Sequence, residues 1–257
     1  MEGGDEIAYC FLTYNHIVRK DVWEKYFQYQ TGYKVYIHAK ERIEPHHYSF
    51  PVHIIEDPYP TKGKTDIGIV RATIHLLKRA YDLSPNATHF LFLTQSCIPL
   101  YTFQLHKEFF LRSKKSIISV IQHNKVERYH SLSFMLKRYI RPNQFVKQQP
   151  NMLLTREDVK WLIENDYTDF FQQMECPDEH YFVNLFLSIY KKEFIHQQIN
   201  FCNLHTNRTQ AENFYQVNKE LIYRARGFGA MFLRKVTKIS NIDIDFIGIK
   251  ENNKNIE

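Results

Sequence analysis

Residues 89–101 read His-Phe-Leu-Phe-Leu-Thr-Gln-Ser-Cys-Ile-Pro-Leu-Tyr. The first six are an apolar, aromatic run of strand length that breaks at Ser96-Cys97 and turns at Pro99. Working outward, 7–13 is a second short apolar run, and 33–38 alternates as a strand does. Residues 52–55, 116–121 and 152–154 complete the strand-like set. Helical periods lie between them, over 16–29, which Gly32 closes, and over 65–81. Further helices begin at Thr155, with Glu157 and Asp158 in a capped first turn, and span 178–190. Strands alternating with helices of this length predict βαβ units around a mostly parallel sheet. Ligands of such sheets bind at the carboxyl ends of the strands. Those ends carry Thr13-Tyr14-Asn15, His38 and Thr94-Gln95-Ser96.

The chain has 257 residues, 44% hydrophobic and 24% charged, which suits one globular domain and excludes a disordered chain. Eight glycines and nine prolines exclude collagen-like and low-complexity readings. No apolar run reaches the roughly 18–20 residues that cross a bilayer. The start, Met-Glu-Gly-Gly-Asp-Glu, lacks a basic-then-apolar leader, so the expectation is a cytoplasmic protein without an integral membrane segment. Cys10, Cys97, Cys176 and Cys202 are widely spaced, which argues against a zinc site or a disulfide framework. Cys10 and Cys97 sit in apolar runs as buried hydrophobes.

Net charge is +6, and residues 219–238 alone contribute +5 through Lys219, Arg224, Arg226, Arg234, Lys235 and Lys238 against Glu220. Within that stretch, Gly227-Phe228-Gly229 would let backbone approach a ligand closely. The run reads either as a phosphate site or as a solvated basic face. Cys176-Pro177-Asp178-Glu179-His180-Tyr181 reads as a helix opening. There a carboxylate would be kept ionised and ready to act as a base, the plain alternative being a good helix start.

Several of these segments together resemble the core-2/I-branching glycosyltransferase family. They are Ala8-Tyr9, Trp23 and Phe27 before Tyr36-Ile37-His38, Ser96 to Tyr101, Arg128-Tyr129 before Lys147, Thr155-Arg156-Glu157, Pro177 to Tyr181, and Phe232-Leu233-Arg234-Lys235-Val236. Their order is the family's order, over roughly residues 7–240, and seven such segments in sequence are hard to obtain by chance. The resemblance implies a single GT-A type, Rossmann-like nucleotide-sugar domain over 7–247, between short tails at 1–6 and 248–257. It also implies an inverting transferase that takes UDP-sugars without a metal or other cofactor.

On this reading Glu179 matches the catalytic base, and Lys235, beside Arg234, matches the lysine that holds the diphosphate. The second cation falls at Arg224 or Arg226. Thr13, His38, Gln95 and Ser96 join these on the donor side, and Arg128, Tyr129, Lys147 and His180 on the acceptor side. The transferred sugar is N-acetylglucosamine, xylose or a relative, and the acceptor a glycan or glycosylated molecule. Two positions depart from the family pattern: His38-Ala39-Lys40 where an Asp often follows the His, and Ile67 where a Trp is common.

Alternatives come from the same residues. Thr94-Gln95-Ser96 holds no carboxylate where metal-using relatives place Asp-x-Asp. Asp243-Ile244-Asp245 occurs only in the C-terminal stretch and would serve a metal-dependent variant. A nucleic-acid binder would use the basic surface, but basic and aromatic residues do not interleave in a recognition pattern, so no nucleic-acid partner is expected. A metal hydrolase would need histidines at ligand spacing, and His46-His47 is the one adjacent pair.

Overall fold

A computed structural model describes residues 5–63, 66–121, 126–203, 211–243 and 247–248, with backbone alone at 126–127. In chain order the elements are β1 (Glu6–Thr13), α1 (Lys20–Phe27), β2 (Tyr33–Ala39), β3 (His53–Ile54), α2 (Gly68–Leu83), β4 (Ala87–Thr94) and β5 (Cys97–Pro99). They continue with α3 (Phe103–Arg112), β6 (Ile117–Ile121), α4 (Val126–His130), α5 (Phe134–Lys137), β7 (Lys147–Thr155), α6 (Arg156–Glu164) and α7 (Tyr181–Leu185). The last are β8 (Ile195–His196), β9 (Asn200–Phe201), β10 (Phe214–Val217), α8 (Lys219–Gly227), β11 (Phe232–Arg234) and β12 (Val236–Ile242).

A seven-stranded sheet runs in the order β3-β2-β1-β4-β7-β6-β8. Only β7 runs against its neighbours, β4 and β6, so the sheet is mostly parallel as expected. The two-residue period of each strand explains the layers. Ile7, Tyr9 and Phe11 face one core with Val35, Ile37, Leu91 and Leu93. Ala8 and Cys10 face the other with Tyr36, Phe90 and Phe92. Cys10 and Cys97 are both fully buried, as their apolar setting implied.

The first core is stitched by a buried chain of hydroxyls. Nε2 of His106 donates to the Met231 carbonyl (3.2 Å), so Nδ1 accepts from Tyr26 Oη (2.8 Å), which leaves that oxygen to accept from Tyr9 Oη (2.9 Å). The polar atoms of Tyr9, Tyr26 and His106 thereby all have partners, which a dry interior requires.

Three segments differ from the sequence expectation. The first helix is confined to Lys20–Phe27, because residues 14–18 are held as a loop: Tyr14 and Val18 amides donate to Gln95, and the Ile17 amide to Tyr48 Oη. β7 begins at Lys147 rather than 152, with buried Gln148 and Asn151 satisfied by Val183 and Thr94 amides. The helix expected over 178–190 is instead a 3-10 turn at Pro177–Glu179, then α7, then a π turn at Phe186–Tyr190. The cause lies in side chains that reach across to Val146. His180 Nδ1 and Asn184 Nδ2 donate to its carbonyl (2.9 and 2.8 Å), and its amide donates to Asn184 Oδ1 (3.1 Å).

Candidate active site

Parallel register brings the polar strand ends together. Leu12 pairs with His38 on one side and Thr94 on the other, so Thr13, His38 and Thr94-Gln95-Ser96 share one edge of the sheet. Because β7 is antiparallel, with Phe92 opposite Met152, its first residue, Lys147, overshoots the end of β4 and reaches that same edge. The small sheet β5-β11-β9 then folds over it. Arg234 pairs with Cys97, and the Val236 amide donates to the Ser96 carbonyl (3.0 Å), which sets Arg234-Lys235 beside the Ser96-Cys97 turn.

Glu179 is the meeting point of three distant segments. Its Oε2 accepts from Arg128 Nη1 and Lys147 Nζ, both at 2.8 Å. Burial would raise the Glu179 pKa, but the bonds and charges of Lys147 and Arg128 outweigh it and hold the carboxyl below its ordinary value. Its Oε1 accepts no hydrogen bond from the described residues and remains available. The sequence expectation credited a helix start with keeping Glu179 ionised. The structure gives that work to two cations, since the turn is three residues long.

Asp178 behaves oppositely. Burial and the Glu179 charge push its pKa up to about 6, while Arg234 and Lys147 pull the other way. This coupling matters for the layout: residues 178–179 and the C-terminal Arg234 lie in one electrostatic neighbourhood although more than fifty residues separate them. Arg234 is further fixed by donating from Nε to Thr94 Oγ1 (3.2 Å). Thr94 belongs to a polar group that sequence reading missed. Asn151 Nδ2 donates to Asn200 Oδ1 (2.7 Å) and Cys97 Sγ (3.1 Å), and the Thr94 amide donates to Asn151 Oδ1 (3.3 Å). No spacing pattern marks such isolated asparagines. Cys202 also belongs here: burial raises its thiol pKa, against the pull of Arg234 and Lys235.

The other sequence-selected residues divide into surface and support. His180 is 1% exposed and reaches no solvent. Its Nδ1–H goes to Val146, so Nε2 accepts from Arg128 Nη1 (3.3 Å), and burial lowers its pKa to about 4. It therefore orients Arg128 rather than meeting an acceptor itself. Tyr129 is 8% exposed and donates its hydroxyl to the Ile140 carbonyl (2.9 Å), which anchors the segment after Arg128.

His38 is fully buried: Nε2 accepts from the Tyr59 amide (2.8 Å), and burial lowers its pKa to about 4, so it is a neutral strut beneath the strand ends. Thr13 Oγ1 is occupied by the Asn15 carbonyl (2.7 Å), and Gln95 Oε1 by the Tyr14 amide (2.6 Å), so both shape the loop after β1. Ser96 is buried beside Lys235.

The +5 stretch is split by the fold. Arg234 and Lys235 stand at the sheet edge. Arg226 is spent on structure, donating from Nε and Nη2 to the Leu100 carbonyl (2.8 and 2.5 Å) and lying 4.7 Å from the Tyr101 ring. Exposed Arg224 lies 5.4 Å from the Phe201 ring. Gly229, at φ +73°, donates to the Arg226 carbonyl and ends α8, so its freedom serves a helix terminus.

Asp243 is exposed at the end of β12, its amide bonded to Val217, and Asp245 lies outside the described residues. Among the described residues no three His, Cys, Asp or Glu side chains converge as a metal cluster would. A cavity of about 800 Å³ lined by Phe27, Tyr29, Tyr33, Lys34, Phe50 and His53 includes none of these groups.

Residues 7–225 match the profile of the Core-2/I-Branching enzyme family. The chain belongs to that family. As a Core-2/I-Branching enzyme it is a glycosyltransferase, with a sugar donor and a glycan acceptor as its substrates. Arg226, Arg234 and Lys235 lie beyond the matched stretch, whereas Glu179 lies within it.

No curated protein sequence is matched. Among solved structures the chain is similar to a glycosyltransferase involved in the glycosylation of the major capsid of PBCV-1. The identity is 12% and the TM-score 0.42, covering 89% of this chain and 93% of that one. It is also similar to the WbbM bifunctional glycosyltransferase, at 8% identity and a TM-score of 0.47, over 96% of this chain and 50% of that one. Mouse xyloside xylosyltransferase 1 is similar at 11% identity and a TM-score of 0.37, over 76% and 88%. Among the described residues no helix is long and apolar enough to cross a membrane.

Proposed function

We propose that this Core-2/I-Branching enzyme transfers a sugar, N-acetylglucosamine, xylose or a relative, from a UDP-sugar to a hydroxyl of a glycan or glycosylated acceptor. The transfer inverts the anomeric centre and uses no metal ion. The observation that supports this reading is the convergence of Glu179 and Asp178 with Lys147, Arg128 and Arg234 at the carboxyl edge of the sheet.

In the proposed step the acceptor oxygen attacks the anomeric carbon as the bond to the UDP oxygen breaks, and Oε1 of Glu179 takes the hydroxyl proton. Lys147 and Arg128 keep Glu179 charged and pointed, leaving that oxygen open. Charge then grows on the departing diphosphate, and in this proposal Arg234 and Lys235 meet it, a role supported by their position beside the Ser96-Cys97 turn. Arg128 and Lys147 border the acceptor side.

A thermal-shift panel of UDP, UDP-sugars, GDP and CMP, each with and without EDTA, tests this reading. A ligand at about 100 times its Kd stabilises by roughly 2.7 kcal/mol, or about 5–10 °C at this chain length. The expected result is a shift with UDP compounds that survives EDTA. A shift abolished by EDTA would turn attention to Asp243 and Asp245, and no shift with any uridine nucleotide would overturn the donor assignment.

A further inference from the structure

Between Arg128 and Lys147 the chain makes an excursion whose two ends are both tied to Oε2 of Glu179. Within it Leu132, Leu136 and Ile140 recur every fourth residue and are 3%, 2% and 0% exposed, so they fasten the excursion to the second core. That spacing turns the intervening residues outward. Phe134 is 73% exposed, Met135 52% and Tyr139 59%.

The same segment carries Lys137, Arg138 and Arg141, and no Asp or Glu occurs between 128 and 147. Arg138, Tyr139 and Arg141 line a cavity of about 600 Å³ with Leu187 of the π turn and Lys191 just after it, again without a carboxylate. The Arg138 guanidinium lies 5.2 Å from the Phe134 ring, so cation and aromatic are presented together.

We propose that this surface seats the enzyme on a membrane bearing anionic phospholipids. Phe134, Met135 and Tyr139 enter the boundary between headgroups and acyl chains, and Arg138, Arg141 and Lys191 meet lipid phosphates. Exposed Phe134, Met135 and Tyr139 beside Arg138, Arg141 and Lys191 match a phase that offers hydrocarbon and phosphate together. A purely apolar partner would leave the cations unmatched. Attachment of this kind is peripheral and reversible, and it does not depend on which sugar is transferred.

The test is co-sedimentation of the full chain with phosphatidylcholine vesicles, with and without phosphatidylserine, at low and high salt. Three proteins are compared: wild type, Arg138→Glu/Arg141→Glu and Phe134→Ser/Met135→Ser. Wild type is expected to sediment with phosphatidylserine vesicles and to be partly released by salt. The charge reversal should weaken partitioning by at least about 30-fold, since each cation near such a surface contributes about fivefold. The apolar variant should retain only weak binding that high salt removes completely. Melting temperatures and transfer to a short water-soluble acceptor should stay unchanged in both variants. Wild type remaining in the supernatant, or both variants sedimenting like wild type, would overturn the proposal. Loss of oligonucleotide binding rather than vesicle binding in the charge variant would overturn it equally.

Discussion

Replacing Asp178 by Asn should make the protein more stable, and increasingly so as pH rises from about 4 to 6. Burial beside Glu179 lifts the Asp178 pKa from an ordinary 3.8 to about 6. A carboxyl with a raised folded pKa prefers its neutral form when folded, so its penalty is nearly absent below the unfolded pKa and grows until pH passes the folded one. With these two values the penalty is about half a kcal/mol at pH 4, about 2 kcal/mol at pH 5 and about 3 at pH 8. The last figure is a ceiling, because the asparagine amide must still find partners. Removing roughly half of it should raise Tm by about 3–6 °C at pH 8 and by under about 1 °C at pH 4. The assay is a pair of thermal melts of wild type and Asp178→Asn in a pH series at constant ionic strength. A difference that does not vary with pH, or a variant less stable than wild type at pH 8, would refute the electrostatic account of this pair.

Lys235→Ala should weaken UDP binding while leaving uridine binding nearly unchanged, as measured by calorimetric titration of both. Equal losses would move Lys235 away from the diphosphate. Arg226→Met should lower stability by about 1–3 kcal/mol, because it strips the Leu100 carbonyl of a charged donor held at 2.5 and 2.8 Å, with UDP affinity little altered. Denaturant unfolding checks the first claim and titration the second. His180→Ala should reduce turnover through a misplaced Arg128, while His180→Gln, which can still donate to Val146, should restore part of it. Rates for the two variants, with melting temperatures as controls, decide whether His180 orients Arg128. The acid limb of the activity profile should lie below the ordinary glutamate range, because Lys147 and Arg128 hold Glu179 ionised as pH falls. A limb near pH 6 would instead point to Asp178 as the titrating group.

Much of the sheet was legible because its strands are apolar at a two-residue period and have both faces covered. The runs at 7–13, 33–38 and 89–94 became β1, β2 and β4 with shifts of one or two residues at their ends. β7 escaped in part because Lys147-Gln148-Gln149-Pro150-Asn151 is polar. The buried Gln148 and Asn151 amides are satisfied by specific partners, and no hydropathy pattern reports that. The segment 178–190 reads as a helix on composition, yet His180 and Asn184 are committed to Val146, an interaction between residues nearly forty positions apart.

Glu179 was reachable from its motif, while the reason for its charge was not. Neither Arg128 nor Lys147 is near it in sequence, and only the reversed direction of β7 delivers Lys147 to the same edge. The basic stretch at 219–238 reads as one patch. The fold divides it instead, because α8 ends at Gly227 and turns Arg226 back onto Leu100, while β11 carries Arg234 away to Cys97. Sequence proximity of charge thus predicted a basic surface but not which cations share a site.

The central claim is that Glu179 removes the acceptor proton while other residues hold the donor. Its most direct test is Glu179→Gln, with UDP affinity and sugar transfer measured on the same preparation. The account predicts a Kd for UDP within about threefold of wild type, against a transfer rate lowered by about a hundredfold or more, the range expected for loss of a general base. Parallel loss of affinity and transfer, or transfer that survives the substitution, would contradict it.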